Sequence, residues 1–162
     1  ITTLLIPGEN DSEAEIHALT RWVLDELGPD VPLHFTAFHP DWRMRHLPPT
    51  PPGTVRRARE IARGNGIRFA YVGNVTDREG QTTLCPKCGA VLIGRDGYAV
   101  TSWKLSEDGA CGACGTACAG VFEDGPGRWG PRRRAVSMKR YSAEAALPGS
   151  VHARRPGVVD LE

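Results

Sequence analysis

The sequence predicts an α/β fold: a βαβαβ segment over residues 1–80, a small metal-binding ribbon over 81–122, and a disordered tail over 123–162. Three observations carry this reading. Short apolar, β-branched runs alternate with stretches of helical period in the first part of the chain. Two Cys-x-x-Cys-Gly motifs, "CPKCG" and "CGACG", then stand 22 residues apart. The last 40 residues are rich in Gly, Pro and Arg without a sustained period, too little apolar surface to offset the entropy of ordering them.

The first strand is "TTLLI", ended by Pro7-Gly8, where Pro removes a donor and Gly permits the turn. A helix follows, with Ser12 and Glu15 at capping-box spacing and Ile16, Leu19, Val23 and Leu27 marking one face. Gly28-Pro29 stops it. "VPLHFTAF" is the second strand, Thr54 to Ala62 a second helix with Val55, Ala58, Ile61 and Ala62 at helical spacing, and "IRFAYVGN" the third strand. Strands that recur after helices pair in parallel through right-handed crossovers. Two helices cover only one face of such a sheet, so the other face is expected to be apolar, or to be the inside of a barrel with further strands. The chain accordingly reads as the C-terminal part of a larger α/β protein. A small complete α/β domain is the alternative.

In the ribbon, each knuckle turns two thiolates toward one ion, and four sulfurs complete the tetrahedron of a closed structural site. Cys85, Cys88, Cys111 and Cys114 are the expected ligands, for zinc or for rubredoxin-like iron. Two strand-like runs flank Arg95-Asp96-Gly97, a hairpin signal. Cys118 is left over as a fifth thiol.

Charge divides unevenly: nine bases face eleven acids over 1–84, three face three over 85–122, and eight face five over 123–162. Only the tail is basic. A solvated tail is preferred over one that holds nucleic acid, whose phosphate contacts would make binding salt-sensitive. No run approaches the roughly 18 apolar residues of a membrane helix, and the opening residues lack a signal peptide's basic start and cleavage site. A cytoplasmic protein off the membrane is expected, with reduced thiols rather than paired disulfides. The segment "FTAFHPDWRMRHLPPTPP" gathers His39, Asp41, Trp42, Arg43, Arg45 and His46 after the second strand, at the sheet end where parallel α/β proteins place binding groups.

Taken in order, "TTLLIPGENDSEAEI", "VPLHFTAFHPDWRM", "PPTPPGTVRRAREIARGNGIRFAYVGNV" and "CPKCGAVLIGRDGY" resemble the C-terminal half of the radical S-adenosylmethionine (SAM) enzyme of the AmmeMemoRadiSam system, a relative of the pyruvate formate-lyase activating enzymes. The resemblance covers Ile1 to about Phe122. It implies part of a partial (β/α) TIM-like barrel that holds a 4Fe-4S cluster and SAM, whose reductive cleavage gives a 5′-deoxyadenosyl radical. Carried over, Ile6, Pro7 and Gly8 line the adenosine side of the SAM site and His39 contacts SAM. The family's C-x-x-x-C-x-x-C cluster motif does not occur here: the cysteines stand at 85, 88, 111, 114 and 118. The resemblance therefore implies an activity that needs the N-terminal half of the barrel as partner, with a protein substrate or other components of the system beyond it. This chain alone is expected to be inactive. The alternative function is a non-catalytic zinc-ribbon module engaging nucleic acid or a protein.

Overall fold

The computed structural model of the chain describes residues 1–122 and 125–126. The disordered tail expected over 123–162 lies, apart from residues 125 and 126, outside the described residues.

The order β1 (Thr2–Leu5), α1 (Glu13–Leu27), β2 (Leu33–Ala37), α2 (Pro52–Asn65) and β3 (Ala70–Gly73) is the βαβαβ segment. Its sheet is parallel, in the order β1-β2-β3. Leu5 stands opposite Ala37 and Thr36 opposite Gly73, so the three C-terminal strand ends come out on one side. Among the described residues this sheet stops at three strands, and they form no closed barrel.

Local chemistry sets the helix bounds. The Glu15 amide donates to Ser12 Oγ at 3.3 Å and the Ser12 hydroxyl donates to Glu15 Oε2 at 2.6 Å, which caps α1. Gly28 ends it with φ of 85°. The helix α2 begins two residues before the expected Thr54, because Pro52 fits the first turn, where no intrahelical donor is needed. Both helices pack on one face of the sheet, where Leu5, Ile16, Val23, Leu33, Phe35 and Val55 form the centre of the core.

Leu27 departs from the expected apolar face and is 48% exposed. Thr20 takes a buried place instead, its hydroxyl donating to the Ile16 carbonyl at 2.8 Å and accepting from Asn65 Nδ2 at 2.6 Å. Arg59 is also buried, with Nε donating to the Ala70 carbonyl at 3.0 Å, which joins α2 to β3. Burial first, then the nearby Arg63, lowers its pKa.

Of the two expectations for the second face of the sheet, an apolar surface or the inside of a barrel, the apolar surface is not what the structure has. Strand alternation places Thr2, Leu4, His34, Thr36, Tyr71 and Gly73 there, and Leu4 is its large aliphatic residue. These strands are half-solvated on that side, so their alternation is hydrophobic-in and polar-out, unlike the continuous apolar runs of a sheet covered by helices twice.

A second, antiparallel sheet has the order β4-β5-β6, from β4 (Thr83–Leu84), β5 (Val91–Asp96) and β6 (Ala99–Trp103). A single helical turn, α3 (Arg78–Gln81), leads into it. The hairpin turn is Gly97-Tyr98, between the paired Asp96 and Ala99. Gly97 takes φ of 58°, the conformation a tight two-residue turn requires at its first position. The ribbon has its own small core of Cys85, Leu92, Ile93 and Cys111.

Candidate metal centre

The two knuckles are built alike. In the first, the Gly89 amide donates to the Cys85 carbonyl at 2.9 Å; in the second, the Gly115 amide donates to the Cys111 carbonyl at 2.8 Å. Gly89 and Gly115 have φ of 73° and 71°, so each knuckle needs its glycine to turn back. The first knuckle joins β4 to β5 and the second follows β6. They are brought together by the hairpin and by a bridge between Leu105 and Cys111.

The sulfurs of Cys85, Cys88, Cys111 and Cys114 all lie within 4.8 Å of one another. Cys85 and Cys114 are 3.7 Å apart, as are Cys88 and Cys111. A tetrahedron with metal–sulfur bonds of about 2.3 Å has edges of about 3.8 Å, whereas a disulfide closes to about 2.05 Å. The spacing is that of a four-thiolate cage, and all the cysteines are free. The donor set suits zinc or iron.

The thiols are tuned unequally. A hydrogen bond from the Cys88 amide, aided by the Lys87 amide against the cost of burial, lowers the Cys85 pKa. The Thr116 hydroxyl, 3.2 Å from Cys114 Sγ, and the Thr116 amide pull Cys114 down to about 6. The Ala90 amide pulls Cys88 down, but the adjoining Cys114 sulfur and burial outweigh it and push that thiol up to about 12. Four sulfurs this close do not all ionise unaided, and a divalent cation among them is what lets them do so. Cys118 stands outside this group of four. It packs against the ribbon core, its thiol facing the Thr116 carbonyl at 3.6 Å, and burial together with the neighbouring sulfurs raises its pKa.

The residues carried over for SAM lie at the adjoining ends of β1 and β2. Ile6 and Pro7 are half-buried, while Gly8 and His39 are exposed. The Asn10 side chain accepts from the Ile6 amide at 2.7 Å and the Asp11 carboxylate accepts from the Gly8 amide at 2.9 Å, which ties down this turn. Thr50 closes the long loop after β2: its amide donates to the Phe38 carbonyl and its hydroxyl to the Leu5 carbonyl, across both strand ends. In that loop Trp42 is 74% exposed at φ of 45°, with the Arg43 guanidinium 4.4 Å from its ring centre. Among the described residues neither His39 nor His46 joins a metal-ligating group. No cysteine precedes position 85, so the strand ends offer no thiolate to a 4Fe-4S cluster, and this chain by itself does not fit that group.

The chain is 44% identical over 95 residues to the uncharacterised protein MJ0808 of Methanocaldococcus jannaschii, an alignment that takes in 59% of this chain and 28% of that protein. It thus spans less than a third of the length of the curated relative it matches. No protein-family model and no solved structure matches it. Among the described residues no helix is long and apolar enough to cross a membrane.

Proposed function

We propose that this chain is a metal-stabilised C-terminal portion of a radical SAM, iron–sulfur activase-like enzyme, in which Cys85, Cys88, Cys111 and Cys114 hold one structural zinc or iron ion. The observation that carries the metal site is the cage of four sulfurs within 4.8 Å. The enzyme reading is supported by the parallel order of β1, β2 and β3, by the polar second face of their sheet, and by the convergence of Ile6–Gly8 and His39 at neighbouring strand ends. In this reading Ile6, Pro7 and Gly8 border the adenosine of SAM and His39 contacts it, while the cluster ligands come from the preceding part of the barrel.

Two experiments test the two halves of the proposal. Elemental analysis of the purified chain is expected to give about one zinc or iron per molecule, lost in Cys88→Ser. Full occupancy in that variant overturns the ligand assignment. Anaerobic reconstitution of the longer protein is expected to give a 4Fe-4S cluster and SAM-dependent release of 5′-deoxyadenosine, reduced in His39→Ala, while this chain alone gives neither. A longer protein that takes up no cluster overturns the enzyme reading, and leaves the ribbon as a module that engages a partner.

A further inference from the structure

The polar face of the parallel sheet is the floor of an open cleft of about 720 Å³, roofed on one side by the β5–β6 hairpin. Its volume is in the range of small-molecule sites. From the floor rise His34, Thr36 and Tyr71, with Asn74 at the end of β3 and Arg95 and Tyr98 on the hairpin. None of the residues that line it is acidic.

The charged side chain that lines this cleft is Arg95, and the N-terminal ammonium of Ile1, hydrogen-bonded to the Pro32 carbonyl, adds to its positive field. The Arg95 guanidinium lies 5.7 Å from the centre of the Tyr71 ring, and Nη1 donates to Thr83 Oγ1 at 2.7 Å and to the Gln81 carbonyl at 3.2 Å. Thr83 in turn meets the Tyr71 hydroxyl at 2.9 Å. The side chain is thereby fixed by neutral oxygens. Among the described residues it has no carboxylate within ion-pair distance, whereas Arg78 on the neighbouring turn pairs with Asp96. A half-buried guanidinium held in place without a counter-charge is an arrangement that an incoming oxyanion completes, in the fork geometry that guanidinium gives carboxylates and phosphates.

The aromatic groups define the rest of the ligand. His34 stacks on Tyr71 with ring centres 4.9 Å apart and their planes 30° from parallel, an aromatic pair standing on the floor. At the hairpin turn, on the rim of the cleft, Tyr98 is 85% exposed. Gly73 lies beside Thr36 on this floor, where a Cβ would come within 3.1 Å of Thr36 Oγ1.

We infer that the cleft between the parallel sheet and the ribbon hairpin is a binding site for a small planar molecule bearing an oxyanion, carboxylate or phosphate, with Arg95 taking the charge and the His34–Tyr71 stack and Tyr98 flanking the ring. The site is separate from Ile6, Pro7, Gly8 and His39, none of which lines it, and does not rest on the radical SAM reading.

The test is a titration of the full chain, followed by NMR of the His34, Tyr71 and Arg95 side chains at constant ionic strength. Inorganic phosphate, benzoate and phenyl phosphate are the probes, with chloride as the control. Saturable shifts confined to the cleft are expected for the aromatic anions. A response to benzoate alone identifies a carboxylate site and a response to phenyl phosphate alone a phosphate site. Thr36→Glu, which sets a carboxylate on the floor without removing an anchor of the ribbon, is expected to weaken binding at least tenfold. Arg95→Lys, which keeps charge but not the fork, is expected to weaken it less. Shifts that rise linearly with every anion, or saturable binding unchanged by Thr36→Glu, overturn the inference.

Discussion

Asp77 shows how much one side chain can organise. Its carboxylate accepts from the Gly80 amide at 2.9 Å, capping α3, and from Arg56 Nε at 2.7 Å, so it fixes α2 against the turn that leads to the ribbon. The Gly80 hydrogen bond first, and the Arg56 hydrogen bond next, hold its pKa below the usual carboxylate value. A depressed folded-state pKa contributes stability that is complete above the unfolded value of about 3.9 and is lost as pH falls through the folded value. Asp77→Ala is therefore expected to cost about 1 kcal/mol near neutral pH through the lost cap. Urea unfolding of both proteins should show that gap closing as the pH is lowered below about 4; a gap that widens in acid would contradict this account. At the same scale, the clustering of Cys85, Cys88, Cys111 and Cys114 is legible in the sequence because spacing alone defines a knuckle. The groups that tune them are not: Thr116 bears on Cys114 through a turn whose geometry no spacing rule specifies.

Among the elements, those with a long periodic signal were readable. The capping box of α1 and its glycine stop follow directly from Ser12, Glu15 and Gly28. The turn α3 and the two-residue strand β4 give no such signal, since each spans only about one period of the pattern that identifies its type and so shows no repeat. Of the two expectations for the second sheet face, an apolar surface or the inside of a barrel, the structure contradicts the first: the alternation in "LHFTA" sets His34 and Thr36 on the opposite side from Leu33, Phe35 and Ala37. The same alternation, carried into "AYVG", brings Tyr71 beside His34 and could have located the cleft. The close fit of α3 to β3 is testable through Gly80. A Cβ at this position would stand 2.5 Å from Val72 Cγ2 in the core and 3.0 Å from the Asp77 carboxylate. Gly80→Ala is expected to destabilise the chain by about 1–3 kcal/mol, as overpacking does, although alanine is the better helix former. Thermal unfolding measures it, and a rise in Tm would mean that α3 stands off from the sheet.

At the scale of the whole molecule, the described chain has two cores that share no residue. One lies between the parallel sheet and its helices; the other has Leu92, Ile93, Cys85 and Cys111 at its centre, with Trp103, Leu105 and Phe122 half-covered against them. The contacts joining them around α3 are largely polar: Arg78 with Asp96, Arg95 with Gln81 and over the Tyr71 ring, and Tyr71 with Thr83. A core with two buried aliphatic side chains and a few half-covered neighbours is small for a three-stranded ribbon, so under the proposed metal site most of the ribbon's stability is expected to come from an ion held by the four thiolates. The first core has no such dependence, since Leu5, Phe35, Val23 and Val55 bury one another without help from any cysteine. Removal of the metal by a chelator is therefore expected to unfold the ribbon alone. The helical circular dichroism of α1 and α2 should persist, while the amides of β5 and β6 lose their protection from hydrogen exchange and the buried Cys85 and Cys111 become reactive toward a thiol reagent. Loss of the helical signal together with the ribbon would mean that the polar contacts around α3 couple the two cores into one cooperative unit. Unchanged exchange in β5 and β6 would mean that the hairpin is stable without the cage, and that the four cysteines serve another purpose than holding it.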